Sequence, residues 1–119
     1  MPLHMLTLAV AALLAACTGS SARPAAEDIA RAQTMRPADT RLSERYERSC
    51  MGCHAVEGSG APLTGFTAQW KPLAAKGIDQ LVDHVFDGFN AMPARGLCND
   101  CSKEDLRDLI RFMSGGAAT

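Results

Sequence analysis

The side chains best suited to chemistry in this sequence are Cys50-Met51-Gly52-Cys53-His54 and, much later, Cys98-Asn99-Asp100-Cys101. Two Cys-x-x-Cys pairs can supply four thiolates to a tetrahedral zinc site. Zinc-binding pairs are usually about 15 to 20 residues apart; here the interval is far longer and holds a pair of predicted helices. A redox dithiol is the second possibility, and it needs a thiolate at a helix N-terminus, usually inside a βαβ unit. Cys50 instead follows a helical run, at the end where the helix dipole disfavours a thiolate, and the chain shows no strand pattern.

The residue after the second thiol gives a third reading. Cys-x-x-Cys-His is the attachment signature of c-type haem. Cys50 and Cys53, at i and i+3, present both sulfurs on one side of a helical turn, placed to bond the two vinyl groups of one haem edge. The turn then carries His54 beneath the iron as proximal ligand. An electron-transfer haem usually closes its other axial position, and methionine there raises the potential. Met35 lies in a polar stretch, Met51 is pinned beside the attachment site, and Met113 falls on the apolar stripe of the last helix. Met92, in the loop "NAMPARG", is the predicted sixth ligand, with Pro93 fixing the backbone after it. His84 would make a bis-histidine site, but it sits at the polar edge of its helix and reads as a solvated surface residue.

These side chains need a scaffold, and the chain can form only a small one. It has 119 residues, a net charge of −1, one Trp, one Tyr and four Phe. That charge balance does not suit nucleic acid, and so few large hydrophobes bury little surface, so a bulky bound group is expected to complete the core. "TRLSERYERSC" places Leu42, Tyr46 and Ser49 on one helical face, with Thr40 or Asp39 as N-cap. "TAQWKPLAAKG" is a short helical piece closed by Gly77, and "IDQLVDHVFDGFN" carries Leu81, Val82, Val85, Phe86 and Phe89 at helical spacing. "SKEDLRDLIRFM" opens with Ser102 and Asp105 in capping-box positions and repeats Leu106, Leu109, Ile110 and Met113 at i, i+3, i+4 and i+7. The fold class is all-α, with the domain over residues 39–119.

Ahead of it, residues 1–16 are apolar from Leu6 onward and too short to span a bilayer, so they read as a secretory signal. "LLAAC" resembles the bacterial lipobox, which implies cleavage before Cys17 and lipidation of that residue; ordinary cleavage after Ala22 is the alternative. Either way the mature protein faces an oxidising compartment, the periplasmic side of a bacterial membrane. Residues 17–38 read as the lipidated cysteine and a flexible tether, since "AAEDIARAQTM" has too little apolar face to dock strongly. As a coil, such a tether would reach about 25 Å.

Taken together, "CMGCHAVEGSGAPLTG", the Trp70 segment, "AMPARG" and the last helix resemble class I c-type cytochromes over residues 40–114, and among them the cytochrome c5 group. The resemblance implies a small class I fold around one covalently bound haem c, with Leu42 and Tyr46 packed against Leu109 and Phe112. It implies that the Pro62 carbonyl accepts a hydrogen bond from His54 and that Trp70 lies near a haem propionate, its indole N–H able to donate. It also implies a Cys98–Cys101 disulfide. One departure is Leu73, which stands after Trp70 where relatives often carry an arginine, with Lys71 and Lys76 nearby. The implied function is one-electron carriage between redox proteins, such as a membrane oxidase or reductase and other small carriers, and not catalysis. A haem enzyme or gas sensor with a labile Met92, or a subunit of a larger oxidase or reductase, are the alternatives.

Overall fold

The computed structural model describes residues 23–119. The first two helices are α1 (Ala26–Thr34) and α2 (Thr40–Ser49), followed by a single turn, α3 (Met51–His54). Helices α4 (Thr67–Ala74) and α5 (Ile78–Asp87) come next, then a 3-10 turn over Ala94–Leu97 and α6 (Lys103–Met113). No strand occurs among the described residues.

Local chemistry accounts for the helix ends. Asp39 is the N-cap of α2, its carboxylate accepting from the Leu42 amide at 2.8 Å. Ser102 and Asp105 form the expected capping box at α6, with mutual bonds of 3.1 and 2.9 Å. Glycines stop α4 and α5: Gly77 and Gly88 have φ of 91° and 90°, a region nearly closed to other residues.

Helix α6 is the spine of the core. Its Leu106, Leu109, Ile110 and Met113 are buried with Tyr46, Trp70, Leu81 and Val82. Tyr46 meets Phe112 edge-to-face at 5.1 Å, joining α2 to α6. Asp105, buried at the base of α6, accepts from Arg41 at 2.6 Å and Arg45 at 2.7 Å, a second tie between the same helices.

The N-terminal segment differs from the tether expected of it. Residues 26–34 form a docked helix: Ala32 is fully buried with Ala55 and Leu63, and Ile29 packs at the margin of that cluster. Met51 and Phe66 pack against the same cluster, which extends the contact beyond Ala32 and Ile29. Arg36, just beyond the helix, pairs with Glu47 of α2 at 2.6 Å. The proposed signal and Cys17 lie outside the described residues.

Burial pushes the Asp105 carboxyl up, but hydrogen bonds from Ser102 and Arg45 outweigh it and hold the group below its ordinary value of 3.8. A depressed carboxyl stabilises the fold above the unfolded value, and that contribution is lost as pH falls through the folded one. Asp105→Asn should therefore cost about 2 kcal/mol near neutral pH. In urea titrations the gap to the wild type should close as pH drops below 3.8.

Candidate functional site

Helices α3, α4, α5 and α6 and the 88–97 loop enclose a mainly apolar cavity of about 630 Å³. Cys50, Cys53 and His54 lie on its wall, as do Pro62, Trp70 and Met92. The floor is built from core side chains of α6, including Leu106, Ile110 and Met113. Residues distant in sequence thus share one chamber, of a size typical for a cofactor.

The thiols are placed by the junction of α2 and α3. Cys50 is the C-cap of α2, its amide bonded to Tyr46 O at 2.9 Å; the Cys53 and His54 amides return to Cys50 O at 3.2 and 3.0 Å. Cys50 and Cys53 are both free. Burial pushes the Cys50 thiol up to about 11, so it is not the activated thiolate that redox dithiol chemistry requires. Zinc chemistry is also a poor fit. Cys98 and Cys101 are joined to each other by a disulfide, and no cluster of three or more His, Cys, Asp or Glu able to hold a metal occurs among the described residues.

His54 is held by its own loop. Its Nδ1 lies 2.8 Å from the Pro62 carbonyl, and because a carbonyl only accepts, Nδ1 carries the proton and Nε2 keeps its lone pair. Burial lowers the ring's pKa, with the Pro62 bond partly opposing it. A neutral imidazole with a free Nε2 at a cavity wall is a ready metal ligand.

The loop after Pro62 is a hub. Thr64 N donates to His54 O at 2.7 Å, and the Thr64 hydroxyl accepts from Tyr46 at 2.9 Å. Gly65 N donates to Met113 O at 2.8 Å. Leu63 N donates to Gln69 at 2.8 Å, and Leu63 O accepts from Trp70 Nε1 at 2.8 Å. This last bond corrects one expectation. Trp70 does line the cavity, stacked near the His54 ring at 5.9 Å, but its N–H is given to the backbone and is not free for a propionate. At 4% exposure the indole needs a partner within the fold, and the nearest carbonyl supplies it.

Met92 enters from the facing loop. Phe89 and Met92 exchange backbone hydrogen bonds of 3.0 and 2.9 Å, closing a tight turn that presents the half-buried thioether to the cavity. The Cys98–Cys101 disulfide is buried where this loop leaves for α6, and Arg95 donates to Cys101 O at 3.0 Å beside it. His84, read from the sequence as a solvated surface residue, and Lys76, noted there only as lying near Trp70, are brought to the site by the fold. Both line the cavity: His84 stacks on Phe89 at 4.0 Å, and the Lys76 ammonium lies 5.4 Å from the same ring. His84 is half-buried and not fully solvated, because Phe89, five residues on, stacks on one face of its ring.

The residues present fit a covalently attached haem. The chamber is large and apolar, two free thiols and an available imidazole nitrogen share one wall, and a thioether stands on the loop that closes it.

Known proteins give the same direction. The family described as cytochrome C oxidase, cbb3-type, subunit III matches residues 37–113. Cytochrome c5 of Ectopseudomonas mendocina is 43% identical over 70 residues, spanning 57% of this chain and 80% of that protein. Cytochrome c5 of Azotobacter vinelandii is 44% identical over 68 residues, spanning 56% and 82%. Among solved structures, a chain from a crystal structure of an electron transfer complex of nitrite reductase with cytochrome c superposes with a TM-score of 0.58. It is 33% identical, over 66% of this chain and 96% of that one.

The turn carrying Met92 depends on Gly88. A Cβ there would lie 3.1 Å from Ala94 N and 3.3 Å from Met92 O, at φ +90°. Gly88→Ala should cost about 1–3 kcal/mol and displace the Met92 loop. An unchanged denaturation midpoint would show that the turn does not need this conformation.

Proposed function

Because the chain belongs to the class I c-type cytochromes, we propose that it carries single electrons on an iron held between His54 and Met92. It bears one covalently bound haem c, like the cytochromes of its family. The haem supplies a one-electron iron couple. Everything else falls to the chain. Cys50 and Cys53 form the two thioether links, and the Pro62 carbonyl orients His54 so that Nε2 faces the cavity. Such outer hydrogen bonds also raise ligand basicity and so tune the metal. The apolar walls exclude water, which keeps the solvent response to a change of iron charge small.

The observation that carries this reading is the convergence of Cys50, Cys53, His54 and Met92, from two separate stretches of the chain, on one chamber. The described walls of the cavity carry His84 and Lys76 but no carboxylate. The likeness to proteins named cytochrome c5 and cytochrome c-555 supports a carrier over an enzyme. We assign the partners to the class of redox proteins, met in brief contacts; the solved relative comes from an electron transfer complex with nitrite reductase. Export to the periplasmic side and lipidation at Cys17 complete the proposal, carried by the "LLAAC" string. No helix among the described residues is long and apolar enough to cross a membrane.

One observation favours a second reading of the sixth ligand, since His84 lines the same chamber. Optical spectra distinguish the two. The wild type should show a weak near-infrared sulfur-to-iron band and no CO adduct when reduced. Met92→Ala should lose the band and bind CO, whereas His84→Gln should keep it. A wild type with no sulfur band, or with a CO adduct, would move the bis-histidine or open-iron reading to first place.

A further inference from the structure

Helix α1 lies outside the family match, which begins at residue 37, yet it docks beside the proximal side of the site. Its contact cluster is Ala32, Ala55 and Leu63, at 0%, 1% and 2% exposure. Ala55 is the residue after His54, and Leu63 is the residue after Pro62. The two halves of the His54–Pro62 hydrogen bond therefore each have their chain neighbour under the same helix. Farther along, Met35 rests on the hub itself. A Cβ on Gly65 would lie 2.6 Å from its sulfur, which ends a flexible side chain, and it is the φ of +77° that favours glycine here. Arg36 secures the exit by its bond to Glu47 of α2.

We propose that α1 is a brace for the proximal ligand: by pressing on Ala55 and Leu63 it holds the Pro62 carbonyl against His54 Nδ1 and thereby sets the haem potential. The inference rests on His54 being the proximal ligand. Ala32 is the positioning residue, because it alone on α1 is fully buried, and its methyl lets the helix approach closely. The direction of the effect follows from the bond. A proton shared with the carbonyl makes Nε2 a stronger donor, and a stronger donor favours the oxidised iron. Loosening the brace weakens the bond and raises the potential.

The test uses the full haem-loaded chain with Ala32→Asp, which places a charge in the cluster, Ile29→Ala as a milder change at its margin, and Ala32→Gly as the conservative control. Three quantities are read: amide exchange over residues 26–34, solvent exchange of the His54 Nδ1 proton by NMR, and the reduction potential. Ala32→Asp should free the α1 amides, speed exchange of the Nδ1 proton at least tenfold, and favour reduction at least threefold, about 28 mV at 59 mV per tenfold. Ile29→Ala should shift the last two the same way by less, and Ala32→Gly should leave them near the wild type. Freed α1 amides with an unchanged proton and potential would overturn the brace and leave α1 as a surface cap. If Ala32→Asp does not fold, Ile29→Ala carries the test. A wild type whose His54 shows no iron-shifted resonances would instead refute the ligand assignment, and the brace with it.

Discussion

An apolar chamber of about 630 Å³ in so small a domain is the constraint from which the other features follow. At roughly 24 cal/mol per Å³, such a volume left as a void would cost about 15 kcal/mol, as much as the whole stability of a small domain, about 5–15 kcal/mol. The helices could escape that cost only by collapsing, which their polar ties resist. Filling the chamber with a covalently attached haem resolves the conflict. It also explains how a chain with one Trp, one Tyr and four Phe sustains a fold of six helices among its described residues.

The ties converge on the residues 62–65. Pro62, Leu63, Thr64 and Gly65 are bonded in turn to α3, α4, α2 and the end of α6. A short loop with no regular structure thus links four helices to the His54 ring. Packing and chemistry are coupled there: a displacement of any of these helices is felt as a change in the angle or length of one hydrogen bond on His54. The facing loop is arranged differently. It is held by glycine conformations, a buried disulfide and the Arg95 bond to Cys101, which act on the backbone around Met92 more than on its thioether.

Much of this was legible because it is local. The Cys-x-x-Cys-His spacing, the Met-Pro pair and the α6 periodicity with its capping box all state their chemistry within a few residues. The Pro62 and disulfide expectations came from resemblance to a family, and no local rule yields either. What local reading missed depends on partners distant in sequence. The docking of α1 is decided by Ala55 and Leu63, more than twenty residues beyond Ala32, so its weak apolar face looked like a tether. Trp70 offers its N–H to whatever carbonyl the fold brings near, and that is Leu63 rather than solvent or a carboxylate. His84 has the helical position of a surface residue and becomes part of a wall only when Phe89 stacks on it.

If the chamber is built to be filled, the chain without haem should lack a fixed core. The most direct measurement compares thermal unfolding, by circular dichroism and calorimetry, of the haem-loaded protein and the same chain with Cys50→Ala and Cys53→Ala made without haem. A cooperative transition with a heat signal is expected for the loaded protein and none for the other. A haem-free chain that unfolds cooperatively, within a few degrees of the loaded one, would show instead that these helices complete their core unaided.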